Sequence, residues 1–366
     1  MNQIESCHSI EALLKEGYAL DEFAATNNIE VSVEWFELLE KHVYSNDSGI
    51  RYYFDVKEAR PSTILPLRLT QKGIVKIITS LSNYYTSLFT PLLSRNSELL
   101  SLRNILSTAC NDHGKAHVMR FDPMDPESAA YKGLMNELRA IGWIPFGFFC
   151  FGNWYIDIND NWEGYLKTRS ANLRSTLKRM VRKFTTDGGS FEIATGPENI
   201  EQAIAAFQDV YSTSWKSPEP YTAFIPSLIR LLASNGMLRL GIARLKGTPI
   251  GAQLWIVGQG KASIYKVAYN ENFAEYSPGT ILTGFLMQHV IEQDQVKNVD
   301  FLIGDDKYKK IWMDNRRERW GIVAYNRRTL IGLALSAKEG SKRIAKLVMN
   351  KFKQGFLQSK KSGLSH

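Results

Sequence analysis

Cysteine is scarce in this chain. Its 366 residues include three, Cys7, Cys110 and Cys150, an odd number and widely spaced. That excludes a disulfide framework and any Cys-x-x-Cys metal or redox motif, and it suits a reducing compartment. Long apolar runs are lacking as well. The most apolar stretch, Trp143 to Ile158, is interrupted by two glycines, a proline and Asp157. It falls short of the ~20 residues that span a bilayer. The first residues carry Glu5, Glu11, Lys15, Glu16 and Asp21 and show no apolar core of a secretory signal. A cytoplasmic protein, soluble or peripheral to a membrane, is therefore expected. Nucleotide-binding fingerprints of the Walker and Rossmann kinds are missing, as is any Ser-His-Asp or Cys-His nucleophile signature. His113 and His117 stand at i, i+4, but no carboxylate lies at ligand spacing and Gly114 weakens a helix there, so no metal is expected.

What is present is an ordinary globular composition, 44% hydrophobic and 22% charged, with an uneven distribution of charge. The net charge is +8. From Arg316 to His366 there are thirteen Lys or Arg and two Glu, which leaves the preceding chain at −3. A second basic run, Lys167 to Lys183, has seven cations and no acid. Such segments point to an anionic partner: a phosphorylated small molecule, a nucleic acid or an anionic lipid. The second run predicts a helix capped by Ser170 or Asn172. Leu173, Leu177, Met180, Val181 and Phe184 form one face, and Arg174, Lys178 and Arg182 form a ridge on another. That ridge is either a solvated face or a recognition surface for acidic groups. From Thr329 to Gln358 a further basic helix is predicted, packing on the domain, touching an anionic membrane or meeting nucleic acid.

The two halves share a plan. Strand patterns at Arg51–Val56, Thr63–Leu69 and Val75–Thr79 precede Pro91, a helix near Ser97–Thr108 and a strand near Ala116–Phe121. Strand patterns at Leu238–Leu245, Ile250–Val257 and Ala262–Ala268 precede Pro278, a helix at Gly279–Glu292 and a strand at Asn298–Ile303. Strand–strand–strand–helix–strand occurring twice implies duplicated mixed α/β units. The polar segment Asp157–Glu163 marks the break between them. The second unit opens its helix with Ser277-Pro278-Gly279-Thr280, whereas the first has Thr90-Pro91-Leu92-Leu93. Glycine permits close approach to backbone N–H groups, so phosphate is expected at the second turn only. The Gly258-Gln259-Gly260 segment predicts a hairpin turn.

The span Leu166 to Trp312 resembles the FemAB-like branch of the GNAT acyltransferase superfamily, with an acetyltransferase domain of the cellulose-biosynthesis type. The resemblance rests on an ordered set. It runs from the basic helix Arg169–Phe184 through Phe207 and Ser214-Trp215 to Gly236–Leu240 with the turn Gly247–Ala252. It continues with Tyr265–Tyr269, Tyr276–Gly279, Asp300–Asp305, Tyr308-Lys309 and Trp312. It implies an α/β (α+β) fold of two tandem GNAT-like domains with central mixed sheets. The first, residues 1–160, is degenerate; the second, residues 161–328, is the acyltransferase; a basic helix and tail follow from 329 to 366. It further implies an acyl-CoA co-substrate, acetyl-CoA foremost, lying where the sheet splays open at Ile250–Val257 and Ala262–Ala268. Tyr265 and Val267 would bind the co-substrate, Tyr265 and Tyr269 share a strand face that can line the acyl channel, and Ser277, Pro278, Gly279 and Thr280 would hold the pyrophosphate. Residues Asn270–Gly279 lack the Q/R-x-x-G-x-G/A phosphate loop of that superfamily. An aminoacyl-tRNA donor, which some relatives use, therefore stands as the alternative.

Acyl transfer to an amine needs a proton acceptor, donors around the developing oxyanion and a proton for the leaving thiolate, but no covalent nucleophile. Asp305, after a strand and Gly304, is the first candidate for base or amine anchor; otherwise it caps a helix over Asp306–Trp312. Asp306 is a weaker candidate, and Tyr308 is the candidate proton donor. Lys309, Trp215, Tyr269, Arg174 and Lys178 are candidates for holding acceptor or donor, and Lys266 is expected to face solvent. The function expected is an acyl-CoA-dependent N-acyltransferase acting on an amine of a small molecule or of a cell-envelope or polysaccharide precursor. A tRNA-dependent transferase and a non-catalytic scaffold for polyanions are the competing expectations.

Overall fold

A β–α–α–β–β–β–α–β order occurs twice in the computed structural model, which describes residues 3–24, 28–57, 60–94 and 101–362. In the first half, β1 (Gln3–Cys7) leads through α1 (Ile10–Lys15) and α2 (Val33–His42) to the antiparallel strands β2 (Ile50–Lys57), β3 (Arg60–Lys72) and β4 (Val75–Ser80). A short β5 (Leu92–Leu93) pairs with β3. Then α3 (Leu102–Asp112) carries the chain to β6 (Val118–Met124), parallel to β4. α4 (Ala129–Ala140), β7 (Trp143–Asp157), α5 (Trp162–Thr168) and α6 (Ala171–Thr186) lead into the second half. There β8 (Gly189–Ala194) is followed by α7 (Ile200–Ser212) and α8 (Phe224–Ser234). Next come the antiparallel strands β9 (Leu238–Leu245), β10 (Thr248–Gly258) and β11 (Lys261–Tyr269). α9 (Pro278–Glu292) then crosses to β12 (Asn298–Asp300), parallel to β11, and α10 (Lys309–Trp312), β13 (Asn315–Asn326) and α11 (Leu330–Ser362) complete the order. The duplication read from the sequence is thus present strand for strand.

Both halves belong to one sheet, ordered β1-β2-β3-β4-β6-β13-β7-β12-β11-β10-β9-β8. Its centre is an exchange. β13, which follows the second half, sits between β6 and β7, while β7, which follows the first, pairs with β12. Residue 160 lies in the loop after β7, yet the hydrogen bonding crosses it in both directions. β7 is the apolar stretch Trp143–Asp157, and β13 is a strand that the charge-rich segment after Arg316 did not suggest.

Helix positions follow apolar spacing and caps. Ser170 Oγ accepts from the Leu173 N–H at 3.2 Å and starts α6, whose Leu173, Leu177, Met180 and Phe184 are buried. α9 is apolar nearly all round because it lies between the sheet and α6. Gln259 (φ +43°) and Gly260 (φ +73°) form the expected two-residue hairpin between β10 and β11. Two expected elements are shorter than read. The strand Asn298–Ile303 stops at Asp300, and the helix Asp306–Trp312 is the single turn Lys309–Trp312. The expected helix Ser97–Thr108 is α3; its first residues lie outside the described ones.

The halves also share a core. Phe224 of α8 stacks on Tyr85 at 4.1 Å and meets Trp35 of α2 edge-on at 5.5 Å, all three buried. Phe224→Ala is expected to cost about 3–5 kcal/mol, visible as a lowered midpoint in urea unfolding. Leu14→Ala, on an exposed side chain, should change stability by less than ~0.5 kcal/mol.

Candidate active site

The parallel strands β11 and β12 pair over three residues only, Lys261↔Asn298, Ala262↔Val299 and Ser263↔Asp300. They then part. The cause is local to Asp300, which is wholly buried. One of its carboxylate oxygens accepts the Leu302 N–H at 2.7 Å and the Asn153 amide at 2.5 Å. The other faces Lys261 Nζ at 2.9 Å and Arg317 at 2.5 Å. The turn places Leu302 in the left-handed region (φ +51°), and the chain veers away from β11. Burial alone would raise this carboxyl's pKa, but Lys261 and Arg317 hold it below the usual carboxylate range. The opening therefore lies between β11 and β12. It is not at β10 and β11, as the resemblance implied: those two remain paired from Gly251↔Tyr269 to Gly258↔Lys261.

The gap holds a cavity of about 220 Å³, lined among others by Ile264, Tyr265, Lys266 and Val267 of β11, by Phe301–Ile303 beyond β12, and by Asp306, Tyr308 and Lys309. Tyr84 and Tyr85 of the first half and Lys216 close it. Three lysines thus face one space with one lining carboxylate. Lys309 is almost fully buried; its ammonium donates to the Ile303 carbonyl and lies 3.3 Å from Asp306. Burial lowers its pKa, and burial together with the charges of Lys266 and Lys309 lowers that of Lys216. Such a wall suits a substrate group that is or becomes negative.

Lys266 departs from expectation. Instead of facing solvent it is largely covered, bonded to Glu219 at 2.7 Å and set over the rings of Tyr84 and Tyr85. Glu219 also accepts from Tyr85 Oη at 2.8 Å. Burial pushes the Glu219 carboxyl up, but the bonds from Lys266 and the tyrosines bring it below its ordinary value. Neither Glu219 nor the pair Tyr84-Tyr85 carried a local motif. They gain a role only because the fold brings the first half against β11.

The other expected residues divide into groups. Tyr265, Val267, Tyr308 and Lys309 line the cavity together. Tyr265 Oη donates to the Tyr85 carbonyl at 2.9 Å. Trp215 and Tyr269 pack on each other at 4.6 Å, next along the chain to lining Lys216 and two residues beyond lining Val267. Ser277, Pro278, Gly279 and Thr280 form the start of α9 outside the cavity, with Ser277 left-handed (φ +51°) and Pro278 in the first turn. Asp305 caps no helix, since Tyr308 precedes α10 and no side chain caps it. Its carboxylate instead accepts from Trp154 Nε1 at 2.7 Å and from Arg316 at 2.8 to 3.1 Å. The Arg316 guanidinium holds it below the usual range, which makes it a weak base. Arg174 is spent on the Lys167 and Arg169 carbonyls, each at 2.8 Å, whereas Lys178 joins Arg179, Arg182 and Lys183 along an open groove on α6. That groove adjoins the α9 start: Lys183 lies over the Tyr276 ring at 3.4 Å. His113 and His117 serve the backbone at Thr70 and Lys76, and among the described residues no metal-binding cluster occurs.

Residues 171–310 match the family model of the acetyltransferase (GNAT) domain. The second half carries an acyltransferase domain of the GNAT superfamily. The first half repeats the same element order within one sheet. FemX is similar over 88% of this chain and 97% of its own, at 13% identity and a TM-score of 0.56. A conserved protein of unknown function from Bacteroides thetaiotaomicron is similar over 88% and 100%, at 10% identity and 0.57. The C-terminal DUF2156 domain assigned to a lysylphosphatidylglycerol synthetase of Agrobacterium fabrum is similar over 89% and 95%, at 13% identity and 0.52. At these identities the structural likeness shows a shared fold alone. No curated protein matches the chain.

On the other side of Leu302 a polar cavity of about 80 Å³ is lined by Glu30, Lys261 and Ser263 with their neighbours. Glu30 is buried and accepts from the Ser87 N–H at 2.5 Å. Burial pushes its pKa up from 4.5 to about 7. The folded state therefore favours neutral Glu30. That contribution is complete below pH ~4.5 and is lost as pH rises through ~7. Glu30→Gln removes the dependence. The stability of the variant relative to the parent should rise by about 2.5 kcal/mol between pH 5 and 8, measured by urea unfolding.

Proposed function

We propose that the chain transfers an acyl group from an acyl-CoA directly to an amine of a small molecule or cell-envelope precursor, with reaction in the cavity between β11 and β12. The observation that carries this is the free edge of β11 from Ile264 to Tyr269, which leads from the three lysines to the start of α9. An unpaired strand edge offers alternating N–H and C=O groups to an amide-bearing chain, and a helix start attracts phosphate. The amine attacks the thioester carbonyl, and its oxygen gains charge near Lys216 and Lys309, whose ammonium groups offset it. Asp306, paired with Lys309 at 3.3 Å, is the carboxylate that lines the cavity and takes the amine proton, whereas Asp305 lies outside the lining and is held by Arg316 and Trp154. Partial burial, then the Asp306 charge, raises the Tyr308 pKa, so its phenol stays protonated and can supply the leaving thiolate.

An aminoacyl-tRNA donor is the second reading. It is favoured by the exposed cations Lys178, Arg179 and Arg182 beside the α9 start, and by Glu271 and Glu275 standing where a CoA phosphate loop would be.

Thermal unfolding against CoA, acetyl-CoA and longer thioesters separates the two. A ligand at ~100 times its Kd adds ~2.7 kcal/mol, a rise of roughly 3–5 °C. Gly279→Val should abolish that rise, because a Cβ there stands 3.3 Å from the Tyr269 ring and the branched side chain covers the turn. Flat curves with every thioester, together with salt-steep binding of tRNA, would transfer the assignment to the second reading. With an acceptor in hand, Asp306→Asn should lower kcat by about 100-fold or more and Asp305→Asn by less than ~10-fold. The reverse order would return the base to Asp305.

A further inference from the structure

α11 has an apolar face that points away from the protein. Its packed side is set by Gly332 and Ser336, both buried, and by Arg343, which pairs with Glu339 at 2.8 Å and covers the Phe146 ring at 4.9 Å. At 100° per residue the opposite side carries Leu330, Leu333, Ala334, Ala337, Ile344 and Ala345. All six are exposed, Leu330 to 86% and Ile344 to 64%. Ser341 is the only polar residue of that stripe up to Ala345. A helix packed on a soluble domain ordinarily turns its apolar stripe inward and its charges outward. Here the inward side carries Gly332, Ser336 and Arg343, with half-buried Ile331 and Leu335 at its edge, and the fully outward side is aliphatic.

Charge identifies what covers it. Lys338, Lys342 and Lys346 recur at i, i+4 and i+8 along one flank of the stripe, all exposed, and Arg327 and Arg328 stand exposed just before its start. The one acid of the described part of α11, Glu339, is turned to the packed side and neutralised by Arg343. An aliphatic stripe bordered by lysines fits the boundary between acyl chains and anionic headgroups. No helix among the described residues is long and apolar enough to cross a membrane, so α11 would lie on the surface. We infer that the outward face of α11 docks the protein on an anionic lipid bilayer. The inference is independent of which acyl donor the cavity takes.

The test is co-sedimentation of the full chain with vesicles of phosphatidylcholine alone and of phosphatidylcholine with phosphatidylglycerol. Binding should be about tenfold or more stronger to the anionic vesicles and should weaken with salt. The double substitution Leu333→Glu with Ile344→Glu should lower it by about tenfold or more. So should the triple substitution of Lys338, Lys342 and Lys346 to Glu. Both variants should keep the parent's thermal midpoint, since none of these side chains is buried. Absence of vesicle binding overturns the inference. So does loss on lysine reversal with no effect of Leu333→Glu and Ile344→Glu, which would mark a polyanion surface of the nucleic-acid kind. A parent dimer that the leucine–isoleucine variant makes monomeric, by light scattering, would assign the face to a second copy of the chain instead.

Discussion

The cavity exists because one buried carboxylate ends a strand. Asp300 takes the Leu302 N–H that would otherwise continue β12 and turns Leu302 into the left-handed region. A leucine there is strained by about 1–2 kcal/mol. The strain persists because Asp300 is also held by Asn153 of β7, by Lys261 of β11 and by Arg317 of β13. Four strands thus meet at one side chain. Three residue pairs of parallel sheet lie on one side of it and an open gap on the other.

The same point ties the halves together. β7 and β13 have changed places in the sheet, so the anchor of Asp300 draws on residues that lie before and after the GNAT domain in sequence. Tyr84 and Tyr85 reach the gap from the first half, where Tyr85 also stacks on Phe224. The first half therefore contributes to the cavity. Its equivalent turn, Pro91-Leu92-Leu93, is filled by leucines, and Leu92 is buried. The closed wall and the open wall together leave a space that faces Lys216, Lys266 and Lys309.

Much of the architecture was legible because it is written in local pattern. The duplicated order of strands, the capped helix α6 and the hairpin at Gln259-Gly260 each depend on residues close in sequence. Lys309, Tyr308, Tyr265 and Val267 were legible for the same reason, since they belong to segments whose order identifies the superfamily. What failed to show depends on contacts distant in sequence. β13 hid because Arg316, Arg317 and Arg319 read as the start of a basic tail, whereas they pair with Asp305, Asp300 and Asp125. Asp305 read as a base or amine anchor, or else a helix cap, because its bonds from Arg316 and Trp154 come from other strands. Lys266 read as solvent-facing because alternation along β11 says nothing of Glu219 and two tyrosines folding over that face. The splay was misplaced by one strand because its cause, the turn at Asp300, lies in side-chain hydrogen bonding and not in hydropathy.

The central claim is that the free edge of β11 receives the acyl donor. Amide hydrogen exchange of the full chain, with and without saturating acyl-CoA, tests it at the backbone groups concerned. The account predicts slowed exchange at amides of Ile264–Tyr269 and at the first turn of α9, with β9 and the first half's β2–β4 unchanged. Donor binding accompanied by protection elsewhere, with Ile264–Tyr269 exchanging as in the free protein, would contradict it.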